Sequence, residues 1–325
     1  MKPIFTIAFA PLILVAAFTG CTPEAPPSPG DAPAADAAPT EGTYEAKEVA
    51  KDEITATPAV DLDTAAVKPD AFGTDGPPVD IGGFGSEEPH ETDDMHQRGI
   101  ITFTGDDGSH TTQQHWEQFD WTGFEAKRWG RYHIRLTYTM RMSTLPMQFK
   151  VAEQRLKKTL IAAPEPRKTY LGIVYIPSTG PHPFSLYTSA KGVSSGIEIH
   201  EVAFIPAPEG EPIAQDGGSA ITLSASGATT WSEAMRYEPK PEKQCLGYWT
   251  SEDDFAEWEF TVETPGRYQV TVSHGCGGGN EGSEVAILSG DHRLTFTVAD
   301  TGGFQNWKDV AVGEVAFDKA GNHPL

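Results

Sequence analysis

Two tripeptides constrain the architecture of most of this chain. Gly130-Arg131-Tyr132 opens the run Tyr132-His-Ile-Arg-Leu-Thr-Tyr138, and Gly266-Arg267-Tyr268 opens Tyr268-Gln-Val-Thr-Val272. In both runs apolar and polar residues alternate with a period of two. That pattern turns one face of an extended strand toward a core and the other toward water. Leu294-Thr-Phe-Thr-Val298 alternates in the same way. No segment carries a convincing long stripe at helical spacing. Short strands bounded by Gly, Pro and Asp predict an all-β fold built of sandwiches.

The order of the signals repeats. Ile101-Thr-Phe-Thr-Gly105 parallels Ile221-Thr-Leu-Ser224, and Gly180-Pro-His182-Pro-Phe184 parallels Gly321-Asn-His323-Pro-Leu325. Three matches in one order at similar spacing predict two copies of one unit. The first module is expected at 98–207 and the second at 219–325, joined by a Pro/Gly linker from Pro206 to Gly218. The second copy is longer around Trp231 to Gln244, a polar, Pro-containing stretch expected to be a loop. The first copy runs on past Pro183 to Gly196-Ile-Glu-Ile-His-Glu-Val-Ala-Phe-Ile205, whereas the second stops at Leu325. By the repeat, the second module lacks its last strand. The expectation is a sequence cut short; the alternative is a strand supplied by another chain.

Residues 1–21 read as an address. One Lys precedes an apolar run from Ile4 to Phe18, too short for a stable spanning helix and of the length of an export signal's hydrophobic stretch. Phe18-Thr-Gly-Cys21 resembles a bacterial lipobox, although Phe stands where Leu or Val is usual. The resemblance implies that Cys21 is acylated and holds the chain on a lipid bilayer; ordinary signal cleavage is the alternative. Thr22, not Asp, implies the outer membrane or surface of a Gram-negative-type bacterium. Residues 22–97 are expected to be a disordered tether. Between Thr22 and His96 there are 18 Asp and Glu against three Lys, with 11 Pro and 13 Ala. So few apolar side chains cannot offset the entropy of ordering the segment. The acidic cluster Glu87, Glu88, Glu91, Asp93, Asp94 with His90 and His96 matches no known metal loop. A net charge of −22 argues against nucleic acid as a partner.

Leu246-Gly-Tyr248-Trp249-Thr-Ser-Glu-Asp-Asp-Phe-Ala-Glu-Trp258-Glu-Phe-Thr-Val262, Pro265-Gly-Arg-Tyr268 and Thr301-Gly-Gly-Phe304-Gln305-Asn-Trp307 resemble the carbohydrate-binding module families 6 and 35. They are closer still to β modules attached to bacterial sulfatases. The first module resembles these families loosely, through its closing strand. The resemblance implies two jelly-roll, galactose-binding-like sandwiches. It also places Phe304 at the position of the ligand-stacking aromatic, Gln305 at that of the neighbouring polar residue, and Tyr248 and Trp249 near a second aromatic wall. Asn280 and Glu281, in the Gly-rich loop 277–282, are candidate hydrogen-bonding groups for sugar hydroxyls. Trp258 and Trp307 read as core residues. These families often hold calcium through a carboxylate on the opening strand. The second module has none there, and the first offers only Asp106, Asp107 and Glu201. No cofactor or metal is expected.

Chemistry-bearing motifs are few. Gly192-Val-Ser-Ser-Gly196 fits GxSxG formally, but a strand follows it where a nucleophile elbow needs a helix. Gly277-Gly-Gly279 lacks the following helix and the GK[ST] of a phosphate loop. No Cys-x-Pro-x-Arg sulfatase signature occurs. Cys245 and Cys276, exported together, form either a bridge or two buried thiols. The expectation is therefore a non-catalytic surface lipoprotein binding a polysaccharide or oligosaccharide. The alternative is a structural or protein-interaction role, with an envelope enzyme such as a sulfatase or glycosidase as partner.

Overall fold

The computed structural model describes residues 8–16, 95–113, 116–189, 195–217 and 220–325, with the segment 8–16 described by its backbone. Cys21, the expected tether as far as residue 94, and residues 192–194 of the Gly192–Gly196 segment lie outside these residues. Among the described residues the fold is all-β; the only helical turns are three-residue ones, at Met95–Gln97, Gly105–Asp107 and Ala225–Gly227.

The strands that form the two large sheets are β1 (Ala8–Ala16), β2 (Ile101–Phe103), β3 (Ser109–Gln113), β4 (Trp116–Trp121), β5 (Gly130–Val151), β6 (Gln154–Ile176), β7 (Phe184–Ser189), β8 (Glu198–Pro206), β9 (Ile221–Leu223), β10 (Arg236–Glu238), β11 (Cys245–Gly247), β12 (Gly266–Cys276) and β13 (Gly303–Phe317). The first module's sheet runs β2-β8-β5-β7-β4-β3, with β6 also on β5. The second module's sheet runs β10-β11-β1-β12-β13, with β9 also on β1. The alternating runs behave as their pattern requires. In β5, Tyr132, Ile134, Leu136 and Tyr138 are buried, and in β12 so are Tyr268, Val270 and Val272.

Details of the two copies coincide. The ladder between β5 and β6 shifts register after Ile134, opposite Gly172. The ladder between β12 and β13 shifts after Val270, opposite Gly313. Both glycines sit at positive φ, +140° and +154°, and each underlies a leucine: an added methyl would lie 3.1 Å from Leu156 or 2.9 Å from Leu294. A bulge of this kind needs a residue without Cβ. The His-Pro turns also match. His182 Nε2 donates to the Ser178 carbonyl at 2.8 Å, and His323 Nε2 donates to the Lys319 carbonyl at 3.0 Å, four residues back in each case.

Each module has its own core. The first gathers Trp121, Phe124, Tyr132, Phe149, Phe184 and Phe204 among others. The second gathers Leu223, Phe260, Tyr268, Val270, Phe296 and Phe317. A third cluster belongs to both: Tyr170, Ala203 and Ile205 from the first module pack with Trp231, and Phe255 lies against them. The stretch 231–244 is largely loop, as expected, but Trp231 and Arg236–Glu238 within it are strand and part of it is buried. Thr229–Trp231 pairs with Phe255–Glu257, and β10 pairs with β11. Trp231, Ser232, Met235 and Arg236 are buried. Polarity and Pro made the stretch look solvated, but its first half, through Trp231, Glu233, Arg236 and Tyr237, meets the first module. The linker is likewise structured in part: Ile213–Ala214 adds a parallel strand to Glu259–Val262, and buried Gln215 bonds the Tyr268 hydroxyl at 3.0 Å. His96, from the expected tether end, stacks edge-on against Trp231 at 4.8 Å and so belongs to the fold.

Candidate functional site

At one end of the second module the Gly-rich loop after β12 meets the start of β13, and the two together contain four of the sequence-derived site residues. The ladder between β12 and β13 pairs Cys276 with Gly303, so the Gly-rich loop 277–282 that follows β12 and the turn 298–302 that leads into β13 lie side by side, with Phe304 and Gln305 on the first residues of β13. Thr301 fastens them: its hydroxyl accepts from the Cys276 amide at 2.8 Å and donates to the Cys276 carbonyl at 3.0 Å. The Phe304 ring lies over Gly277, where an added methyl would sit 3.2 Å from the ring. Glycine at 277 therefore lets the half-buried ring rest on bare backbone. Gln305 beside it is exposed.

Asn280 and Glu281 first of all shape their own loop. Asn280 Nδ2 donates to the Gly277 carbonyl at 3.1 Å, and Glu281 Oε2 accepts from the Gly279 amide at 2.6 Å. Each keeps hydrogen-bonding capacity beyond these contacts, because a carboxylate has about four acceptor directions and an amide four groups in all. Asp300, which the sequence reading missed, belongs to the same cup. Its Oδ1 accepts from the Gly302 amide at 2.8 Å, and an added methyl at Gly278 would lie 3.4 Å from its Oδ2. Asn306 supports the loop by donating to the Thr301 carbonyl. Burial first, then the negative charges of Glu281 and Asp300, push the Cys276 thiol up from its ordinary range. The result is an aromatic face, an exposed amide and two exposed carboxylates around a loop of small residues. Such a set suits a ligand with an apolar face and neutral or basic hydrogen-bonding groups, and repels dense negative charge. Asp-Thr-Gly, a turn signal just before Phe304, is the pattern through which Asp300 was legible.

Tyr248 and Trp249 have partners of their own in the fold. Trp249 is half-buried and packs against two apolar clusters of the second module. Tyr248 sits at φ +64°, an unusual conformation for a bulky residue. It is 37% exposed, and its ring carries the Arg236 guanidinium at 3.5 Å. The same guanidinium also lies over Trp129 of the first module, at 3.7 Å. The Trp129 indole N–H also bonds the Tyr237 carbonyl at 3.0 Å. Tyr248 thus serves the junction between modules, a role that residue spacing within one module cannot reveal. Trp258 is half-buried against the core, as its alternation predicts, and donates to the Ser224 carbonyl at 2.7 Å. Trp307 is half-buried, facing the Gly275 backbone.

Cys245 and Cys276 are both buried and free. They stand on β11 and β12, which the order β11-β1-β12 separates by one strand. Two sheet steps are about 9.6 Å, beyond the reach of a disulfide. Burial, reinforced by Glu238, pushes the Cys245 thiol up to about 12. The carboxylates weighed for calcium in the first module have other work. Asp107 accepts from the Thr104 amide and hydroxyl at 2.6 and 2.8 Å, and Glu201 pairs with Arg135 at 2.6 Å. Among the described residues no group of three or more His, Cys, Asp or Glu is placed to hold a metal.

A second concavity, of about 900 Å³, lies at the junction. Ile100, Ile101, Tyr132 and Phe255 form its apolar part. Its charged rim is largely paired within itself, Arg98 with Asp254 at 2.8 Å and Lys127 with Glu233.

No protein-family model matches the chain, and no curated protein matches it. Solved structures similar to it include the C-terminal family 6 carbohydrate-binding module of a marine laminarinase from Zobellia galactanivorans. That match has a TM-score of 0.26 and 13% identity, over 33% of this chain and 98% of that one. The family 35 module from Paenibacillus barcinonensis is similar with a TM-score of 0.25 and 10% identity, over 34% and 96%. A Podospora anserina mannanase carrying a family 35 module has a TM-score of 0.29 and 10% identity, over 36% of this chain and 29% of its own length.

Proposed function

We propose that this chain is a non-catalytic surface lipoprotein, anchored through acylated Cys21, that binds a carbohydrate at the loop end of its second sandwich. The observation that carries the reading is the Phe304 ring resting on the Gly277 backbone beside Gln305, Asn280, Glu281 and Asp300. A pyranose offers one C–H face for such a ring and hydroxyls for such partners. The two carboxylates favour a neutral or amino sugar over a sulfated or uronic one. The lipobox-like Phe18-Thr-Gly-Cys21 and the acidic segment after it support display at the outer membrane.

Affinity electrophoresis of the full chain through neutral, basic and acidic polysaccharides tests the reading. Retention by a neutral or basic polysaccharide is expected, with Phe304→Ala weakening it about tenfold or more, since a stacked aromatic contributes on the order of 1–3 kcal/mol. The thermal midpoint should change little, because the ring is only half-buried. Absence of retention by every polysaccharide would discard the reading. A protein-interaction role is favoured by a separate observation, the strand at the centre of the second sheet.

A further inference from the structure

The gap that the repeat predicts in the second module is filled, and the N-terminal apolar run fills it. β1 lies between β9 and β12 as β8 lies between β2 and β5. Both strands are nine residues long and both are antiparallel to their two neighbours. The registers agree position for position. Val202 lies between Phe103 and Leu136, and position 12 lies between Leu223 and Val272. Phe204 lies between Ile101 and Ile134, and position 14 lies between Ile221 and Val270. Pro206 faces Tyr132, and position 16 faces Tyr268. The irregularity is shared as well: one ladder shifts between Ile199 and Glu201, the other between Phe9 and Leu12.

Residues opposite one another on neighbouring strands share a face. Leu223, Ile221, Val272, Val270 and Tyr268 are all buried, so positions 12, 14 and 16 belong to the core side. Position 13 lies between Thr222, which is exposed, and Thr271, and so belongs to the outer side. The groove therefore specifies an occupant: an extended backbone to satisfy two strand edges, with apolar side chains at its fifth and seventh residues. A sugar supplies neither the ladder nor the alternation; a polypeptide supplies both.

We propose that this groove is a strand-acceptor site, and that once residues 1–20 are cleaved away it takes a nine-residue extended segment of a partner polypeptide. The proposal rests on the reading of Cys21 as the processing point. The open groove has two unpaired edges and uncovered core, and that state recruits a strand.

The test uses the full chain, the chain beginning at Thr22, and three lysine-tailed peptides: the sequence 8–16, the sequence 198–206, and a scrambled 8–16. Hydrogen exchange of Ile221–Leu223 and Gly266–Cys276 is the readout. The full chain should protect both strands and bind no peptide. The chain from Thr22 should exchange there at least tenfold faster, and one equivalent of either native peptide should restore protection while the scrambled one does not. If that chain does not fold alone, a native peptide present during refolding should recover it. A full chain carrying Leu12→Asp and Leu14→Asp should show the same faster exchange without any truncation. Unaided protection in the chain from Thr22, or failure of both native peptides, overturns the proposal. Mass spectrometry of the envelope form asks the processing question separately. Retained residues 1–20 would remove the partner occupant and the lipid anchor together, while leaving sugar binding to stand or fall on Phe304.

Discussion

Single residues carry both the chemistry and the pH response of this protein. His133, edge-on to Tyr170 and beside Arg131, is pulled down to about 4 by burial and then by the Arg131 charge. A histidine depressed in the folded state favours the neutral ring, so its contribution is complete above its unfolded value near 6.5 and is lost as pH falls from there toward 4. Urea midpoints measured between pH 7 and 4 should therefore fall, and His133→Gln should flatten that limb; an unchanged slope would assign it to carboxylates instead. The two buried thiols make a simpler forecast. Alkylation in denaturant without reductant should label both Cys245 and Cys276, and a mass short of two labels would mean a bridge that the sheet order opposes. At this scale the sequence was informative where a residue acts through its own loop, as with Asn280 and Glu281. It was silent where the partner comes from far along the chain. Nothing near Tyr248 announces that Arg236 and Trp129 will occupy its ring, because Trp129 is supplied by the other module.

Elements were legible wherever alternation was strong. Gly130-Arg-Tyr and Gly266-Arg-Tyr do start strands, and the bulges opposite Gly172 and Gly313 show how closely the two ladders follow one plan. The stretch from Trp231 to Gln244 is largely the loop its composition predicts, and the burial of Trp231, Ser232, Met235 and Arg236 was hidden because contact between modules leaves no periodicity in one short segment. Trp231 is 3% exposed, and its indole N–H bonds Glu257 at 3.2 Å. Trp231→Ala should cost about 3–5 kcal/mol, as large-to-small changes in packed sites do. Chemical denaturation followed by tryptophan-independent circular dichroism measures this. A cost below about 1 kcal/mol would mean the cluster is not a packed core. His96 and Phe255, which frame Trp231, should show faster side-chain motion in the same variant.

At the scale of the whole described unit, two sandwiches share one apolar cluster and several ties across the junction. Arg98 with Asp254, Lys127 with Glu233, and buried Arg128 with Thr230 at 2.8 Å each join residues far apart in sequence. The coincidence of β1 with β8 has a practical consequence. The two strands are castings from one mould, so a casting made for one half should seat in the other. Replacing Ala8–Ala16 by Glu-Ile-His-Glu-Val-Ala-Phe-Ile-Pro, the sequence of β8, should leave the thermal midpoint of the full chain within a few degrees. The same nine residues in reversed order should lower it sharply. The backbone of residues 8–16 follows the outline of β8, and any segment that is to occupy that seat must match the same outline.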